Sequence, residues 1–188
     1  GGIEVVKFRL AKADLRYIFN ITKRSLGYDC RKEAHQYIKF TGNDGMLQAV
    51  SVDGYRVHCV SVPITVLKGN QPFSFLLKPF AIPAMYSSFI ECTLGEKEIA
   101  FNFGEQKFIE RLGKGIDDFI DFEEVIPKKE PVETIGFNPD YLADALKGFR
   151  SSSSNPVVLE IYDPCSPVII RSRKNPEDFR LVLPALLR

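Results

Sequence analysis

Cysteine, histidine and net charge are all scarce in this chain, and each shortage excludes a class of function. The four cysteines, Cys30, Cys59, Cys92 and Cys165, lie far apart and form none of the close pairs that zinc sites use. They read as reduced structural thiols of a cytoplasmic protein. The two histidines, His35 and His58, fall at a strand entrance and mid-strand, where a structural role outweighs that of a base or ligand. Lysine plus arginine number 25 against 24 aspartate plus glutamate, a net charge of +1, so any grip on nucleic acid must come from local placement of charge. The uncharged run from Val57 to Leu67 is too short to span a bilayer, and the N-terminus lacks a basic, then apolar, then small-residue pattern. A soluble protein without an export address, not held at a membrane, is expected. No GxSxG, Walker A, HExxH or helix-opening GxGxxG is found, and no coherent acid, base and nucleophile set, so neither an enzyme nor a cofactor site is expected.

What is present is ordinary globular material. The chain has 188 residues, 45% of them hydrophobic and 26% charged. A chain of that length buries roughly 70% of its unfolded surface and folds without disulfide or metal. Residues Leu15, Ile18, Phe19, Thr22 and Leu26 recur on one helical face within residues 12–26. Strand-like runs follow at Tyr37 to Thr41, Met46 to Val52 and Tyr55 to Pro63, separated by Gly42-Asn43-Asp44-Gly45 and Asp53-Gly54 turns. With Val5 to Leu10 counted first, the unit reads βαβββ.

A second unit opens with Phe73 to Leu77, places a short or kinked helix over Lys78 to Ser88, and continues through Ile90 to Leu94, Glu98 to Phe103 and Lys107 to Leu112. In the third, Glu133 to Phe137 reads as a strand, Asn138 as a helix cap, Pro139 as the first helical residue, and Leu142, Ala145, Leu146 and Phe149 as the apolar face. Val157 to Tyr162, Val168 to Arg171 and Phe179 to Leu183 complete it. Helix starts near 12, 79 and 139 thus predict three βαβββ units, an α+β fold of antiparallel sheets with helices on one face. Ser151 to Ser154 reads as a loop, and Asp117 to Pro131 as a linker.

Two charge clusters stand out. Asp117, Asp118, Asp121, Glu123 and Glu124 lack the glycine-turned spacing of a cation loop and read as solvated, so no metal site is expected. Lys12, Arg16 and Lys23 fall within about 40° on a helical wheel, with Arg24 beside them. Such a face can meet phosphates without sequence preference, and Lys147 and Arg150 are the lesser basic pair of the last helix.

The third unit carries a specific pattern: Gly136-Phe137-Asn138-Pro139-Asp140-Tyr141-Leu142-Ala143-Asp144-Ala145-Leu146-Lys147, then Ser166-Pro167-Val168-Ile169-Ile170-Arg171 and Leu181-Val182-Leu183-Pro184. This strongly resembles the closing half of the last domain of the bacterial DNA polymerase III beta sliding clamp. Asp53-Gly54-Tyr55-Arg56-Val57 and Phe119-Ile120-Asp121-Phe122-Glu123-Glu124-Val125-Ile126-Pro127 resemble stretches of that clamp's middle domain. Residues 1–127 would then form a middle-domain-like part and 128–188 a half-domain.

The resemblance implies a DNA-clamp-like fold and a non-enzymatic replication or repair factor. Its partners would be duplex DNA, bound without sequence preference, and a DNA polymerase or other clamp-motif protein. The family's peptide-binding pocket, carried over by motif, would be walled by Gly54, Tyr55, Arg56, Val57 and Pro127 on one side. Asn138, Tyr141, Ser166, Val182, Leu183 and Pro184 would stand on the other. The alternative is a shortened relative that binds peptides and never encircles DNA. An unmatched third unit exposes an apolar helix face and a sheet edge, so a homo-oligomer joined through Val132 to Arg188 is expected.

Overall fold

The computed structural model describes residues 4–27, 31–84, 87–150 and 152–188. Cys30 and Ser151 lie outside the described residues. The chain divides into two compact units, Gly1–Ile126 and Pro127–Arg188, each described by itself.

In unit 1, strand β1 (Val6–Ala11) runs directly into helix α1 (Lys12–Thr22). The helix buries Leu15, Ile18, Phe19 and Thr22, the face that the spacing predicts. Lys12 N–H donates to the Ser88 carbonyl at 2.9 Å, and Asp14 places negative charge in the first turn. After a short 3₁₀ turn the helix end is pinned to the sheet by a buried pair, Ser25 Oγ and Ser51 Oγ, 2.6 Å apart. Strands β2 (Ile38–Asn43), β3 (Met46–Val52), β4 (Val57–Pro63) and β5 (Thr65–Lys68) follow. The β2–β3 hairpin pairs Asn43 with Met46 around Asp44 and Gly45, both at positive φ (53° and 72°), as a type I′ turn requires.

The second repeat contributes β6 (Phe73–Leu77), β7 (Phe89–Leu94), β8 (Glu98–Phe103) and β9 (Gln106–Arg111). The helix expected at Lys78 to Ser88 is absent: residues 78–84 are irregular, and Met85 and Tyr86 lie outside the described residues. Pro83 explains this: it removes the backbone donor that a second turn would need and drives Ile82 towards extended backbone, whereas Pro79 alone would suit a helix start as Pro139 does. The irregular segment still does a helix's packing. Phe80 lays its ring against Phe19 of α1 (centroids 5.2 Å apart) and Phe101 of β8 (4.9 Å).

The two sheets are antiparallel, in orders β5-β1-β7-β8-β9 and β4-β3-β2-β6. Each holds the first strand of the other repeat: β1 pairs with β7, and β6 with β2. One core joins them, with Phe8 stacked on Phe73 (5.3 Å) and Phe40 on Phe75 (4.9 Å). The acidic stretch from 117 is no simple linker. Phe119 is buried with Val50, Val52, Leu76 and Ala34 in a second apolar cluster, and carries its carboxylate neighbours on two short 3₁₀ turns.

Unit 2 has one helix, α2 (Pro139–Leu146), and one sheet of β10 (Val157–Glu160), β11 (Val168–Ser172) and β12 (Phe179–Val182) in that order. The helix stops at Leu146 because Gly148 takes φ +78°, so Phe149 packs from beyond its end. The strand expected at Glu133 to Phe137 reduces to a single bridge, Gly136 to Ala185. Among the described residues no helix is long and apolar enough to cross a membrane.

Candidate functional site

An apolar concavity of unit 2 lies where α2 meets β12. It has a volume of about 480 Å³ and is lined by Asn138, Tyr141, Asp144 and Ala145 from the helix and by residues 180–185 from the strand and its extension. Val182, buried in one core cluster with Val168 and Ile170, forms the floor, whereas Tyr141 (65% exposed) and Leu183 (72%) stand free at the rim. Exposed apolar side chains over a buried floor suit capture of a hydrophobic side chain.

Polar groups frame this groove. Asn138 Oδ1 caps α2, accepting the N–H groups of Asp140 (2.9 Å) and Tyr141 (3.4 Å), which leaves its amide N–H groups to donate outward. Arg180 is held twice, by Asp178 at 2.9 Å and over the Phe149 ring at 3.6 Å from the centroid. The wall beyond β12 depends on a glycine: a Cβ at Gly136 would stand 2.8 Å from the Ala185 carbonyl oxygen and 2.7 Å from Leu187. Gly136 thus allows its own carbonyl to accept the Ala185 N–H at 2.8 Å.

Ser166 does not line the groove. Its N–H (2.7 Å) and hydroxyl (2.6 Å) donate to Asp163, which also accepts the Cys165 N–H, closing the turn between β10 and β11. The Ser166 hydroxyl is the main reason the Asp163 carboxyl is held below the usual carboxylate range. Pro127 opens unit 2 and likewise stands outside the groove lining.

The other predicted wall belongs to unit 1. Asp53 organises a turn before β4: Oδ1 accepts the N–H groups of Tyr55 (3.0 Å) and Arg56 (3.1 Å), and Oδ2 accepts Arg56 Nε at 2.8 Å. Arg56 lowers the Asp53 pKa, chiefly through that side-chain bond. Gly54 supplies φ +90°, and Tyr55 is left 98% exposed. A large aromatic held fully in solvent on a tied-down turn is a ready contact residue.

Solved structures share this architecture. The DNA polymerase sliding clamp of Pseudomonas aeruginosa aligns with a TM-score of 0.59 and 16% identity, covering 100% of this chain and 68% of that one. The chain has the bacterial sliding-clamp fold. A Pseudomonas aeruginosa sliding clamp bound to griselimycin gives 0.58 at 16% identity, over 100% of this chain and 67% of that one. A putative DNA polymerase III beta subunit from Eubacterium rectale gives 0.55 at 14%, over 98% and 67%. No protein-family model and no curated protein matches the sequence.

In this clamp-like chain Arg16, Lys23 and Arg24 are exposed along α1 and its 3₁₀ extension, and Lys12 opens the helix. Arg16 and Lys23 border a groove with Phe19, Phe80 and Ile82. Lys147 lies 3.5 Å from Asp144, and Arg150 follows the end of α2, so they do not share a helical face. Sequence reasoning passed over Asp144, Arg180 and Leu181 in the unit 2 groove. The signal was available, since Asp144 lies i+3 from Tyr141 and Arg180 shares a strand face with Val182. His35 and His58 serve structure: His35 Nε2 accepts the Ile120 N–H at 3.2 Å, and His58 Nδ1 lies 3.0 Å from the Ile21 carbonyl oxygen. Among the described residues no group of three His, Cys, Asp or Glu side chains could hold a metal ion.

Proposed function

We propose that this protein is a clamp-like, non-enzymatic DNA replication or repair factor. It meets duplex DNA through α1 and tethers a polymerase or another clamp-motif protein through the unit 2 groove. The observation that carries the reading is the groove itself: an apolar floor with Asn138, Tyr141 and Leu183 at its margin, in a chain with the sliding-clamp fold. That one such clamp was solved with griselimycin bound supports a ligand-receptive surface on this fold. Lys12, Arg16, Lys23 and Arg24 supply the sequence-indifferent phosphate contacts, with Lys147 and Arg150 as lesser contributors. The chain also associates with copies of itself through residues 132–188.

Burying one or two large peptide side chains stabilises by roughly 1.5–3 kcal/mol each, and ordering the peptide offsets much of it. Affinity is therefore on the order of micromolar. Fluorescence polarisation with a labelled peptide ending in Leu-Phe tests this. Tyr141→Ala should weaken binding about tenfold, as loss of one exposed aromatic contact does. Arg56→Ala reports whether the Asp53–Arg56 turn takes part. No binding by any such peptide, or equal binding by wild type and Tyr141→Ala, removes the groove from the proposal. For DNA, the Lys12, Arg16, Lys23 and Arg24 quadruple alanine variant should lose the salt-sensitive binding that wild type shows.

A peptide-binding module that does not encircle DNA is the second reading. The Lys147–Asp144 ion pair favours it, because it leaves α2 without a basic face. Peptide binding with no DNA binding by wild type at low salt would select it.

A further inference from the structure

In unit 1 the first strand of each repeat has two neighbours, drawn from different places. On one side lies the segment just past that repeat's last strand: β1 pairs with β5, and Gly113 N–H donates to the Leu76 carbonyl of β6 at 2.8 Å. On the other side lies a strand of the opposite repeat, β7 for β1 and β2 for β6. Unit 2 has the first neighbour in the same place, since Ala185 N–H donates to the Gly136 carbonyl at 2.8 Å. Among the described residues it lacks the second: nothing pairs with the far side of residues 133–137, and β10 is an open sheet edge.

We propose that two copies of the chain complete each other by strand exchange. Residues 133–137 of one copy add antiparallel to β10 of the second, and the second returns the same strand to the first. The proposal rests on the self-association reading and deepens it by naming strand, edge and register. The register follows from unit 1, where the last large apolar residue of each first strand faces an isoleucine at or next to the start of the opposite repeat's strand, Leu77 on Ile38 and Leu10 on Ile90. The next apolar pairs are Phe75 on Phe40 and Phe8 on Cys92. Carried to unit 2, Phe137 faces Val157 and Ile135 faces Leu159.

Burial agrees with that register. Phe40, two residues into β2, is 1% exposed beneath its exchanged strand, whereas Leu159, two residues into β10, is 52% exposed. Thr134, Ile135 and Phe137 are good strand formers, and no proline interrupts 133–137. The contact is isologous, so it closes at two copies, and it removes both open edges at once.

Sedimentation of the full 188-residue chain between about 10 and 100 µM tests it, a range in which specific dimers populate. Wild type should run with the mass of two chains. Ile135→Lys and Leu159→Lys should each run as one, with unchanged far-ultraviolet circular dichroism, while Leu181→Lys on the opposite sheet face stays dimeric. As a second measurement, Ile135→Cys with Leu159→Cys, made with the native cysteines changed to serine, should oxidise to a disulfide between chains on a non-reducing gel. A wild-type monomer throughout would overturn self-association and exchange together. A dimer that survives both edge substitutions, or a disulfide formed within one chain, would overturn the exchange and leave self-association by another surface.

Discussion

Replacing Phe119 by alanine separates two descriptions of the acidic stretch before residue 127. If the stretch were a solvated linker, the change would alter stability by less than about 0.5 kcal/mol, as surface substitutions do. The structure instead buries Phe119 to 6% exposure against Val50, Val52 and Leu76, with its ring meeting His35 edge to face at 5.2 Å. Phe-to-Ala changes in a well-packed core cost about 3–5 kcal/mol. The cluster sits on an outer sheet face and its other members, Ile116, Ile120 and Phe122, are only half-buried, so the low end applies. The edge-to-face contact lies within that figure rather than adding to it, because histidine is a poorer partner than a second benzene ring. About 3 kcal/mol is a large share of the 5–15 kcal/mol that a domain typically has. Urea unfolding followed by circular dichroism should therefore show a clearly lowered midpoint, and thermal melting a fall on the order of 10 °C. A shift below about 0.5 kcal/mol would refute the packed description.

Two further predictions concern unit 1. Phe80→Ala should cost about 2–3 kcal/mol in the same assay, less than a full core phenylalanine because the ring is half-buried, since it removes the side chain that fills the missing helix's place. For pH, burial lowers the His35 pKa from 6.5, with Lys32 adding to the effect, and the neutral ring accepts the Ile120 N–H. Because the folded value is the lower one, this contribution is complete above pH 6.5 and is lost as the pH falls towards the folded value. Melting temperature followed from pH 7.5 to 5 should fall for wild type and fall less for His35→Gln, which accepts the bond without titrating; parallel curves would exclude His35 as the source.

Local signals in the sequence correspond closely to local structure. The Asp44-Gly45 turn, the apolar face of α1 and the limits of β3, β6 and β8 all depend on neighbouring residues, and the structure has them as read. The misreadings have different causes. The segment 78–84 loses its helix locally, at Pro83, whereas Glu133 to Phe137 lacks the remote opposite-repeat strand with which β1 and β6 pair. Phe119 was hidden by acidic neighbours, since composition cannot show one ring turned inward. At the groove, Asn138 as a cap was legible from Asn-Pro spacing. The meeting of Tyr141 with Val182 and Leu183 was legible only through the family motif, because the whole of β10 and β11 intervenes.

The exchange of first strands inside unit 1 also sets the order of events on the ribosome. Strand β1 leaves the exit tunnel well before β7, yet its ladder on β7 is complete only once Leu94 is present to meet Val6. At the usual 5–20 residues per second that is a wait of about 4–18 s, long compared with the microseconds in which a hairpin such as β2–β3 closes. During that interval the edge of β1 that will meet β7 has no permanent cover. Nascent chains halted with residue 94 still inside the tunnel should therefore bind a ribosome-associated chaperone, and release it once that residue has emerged.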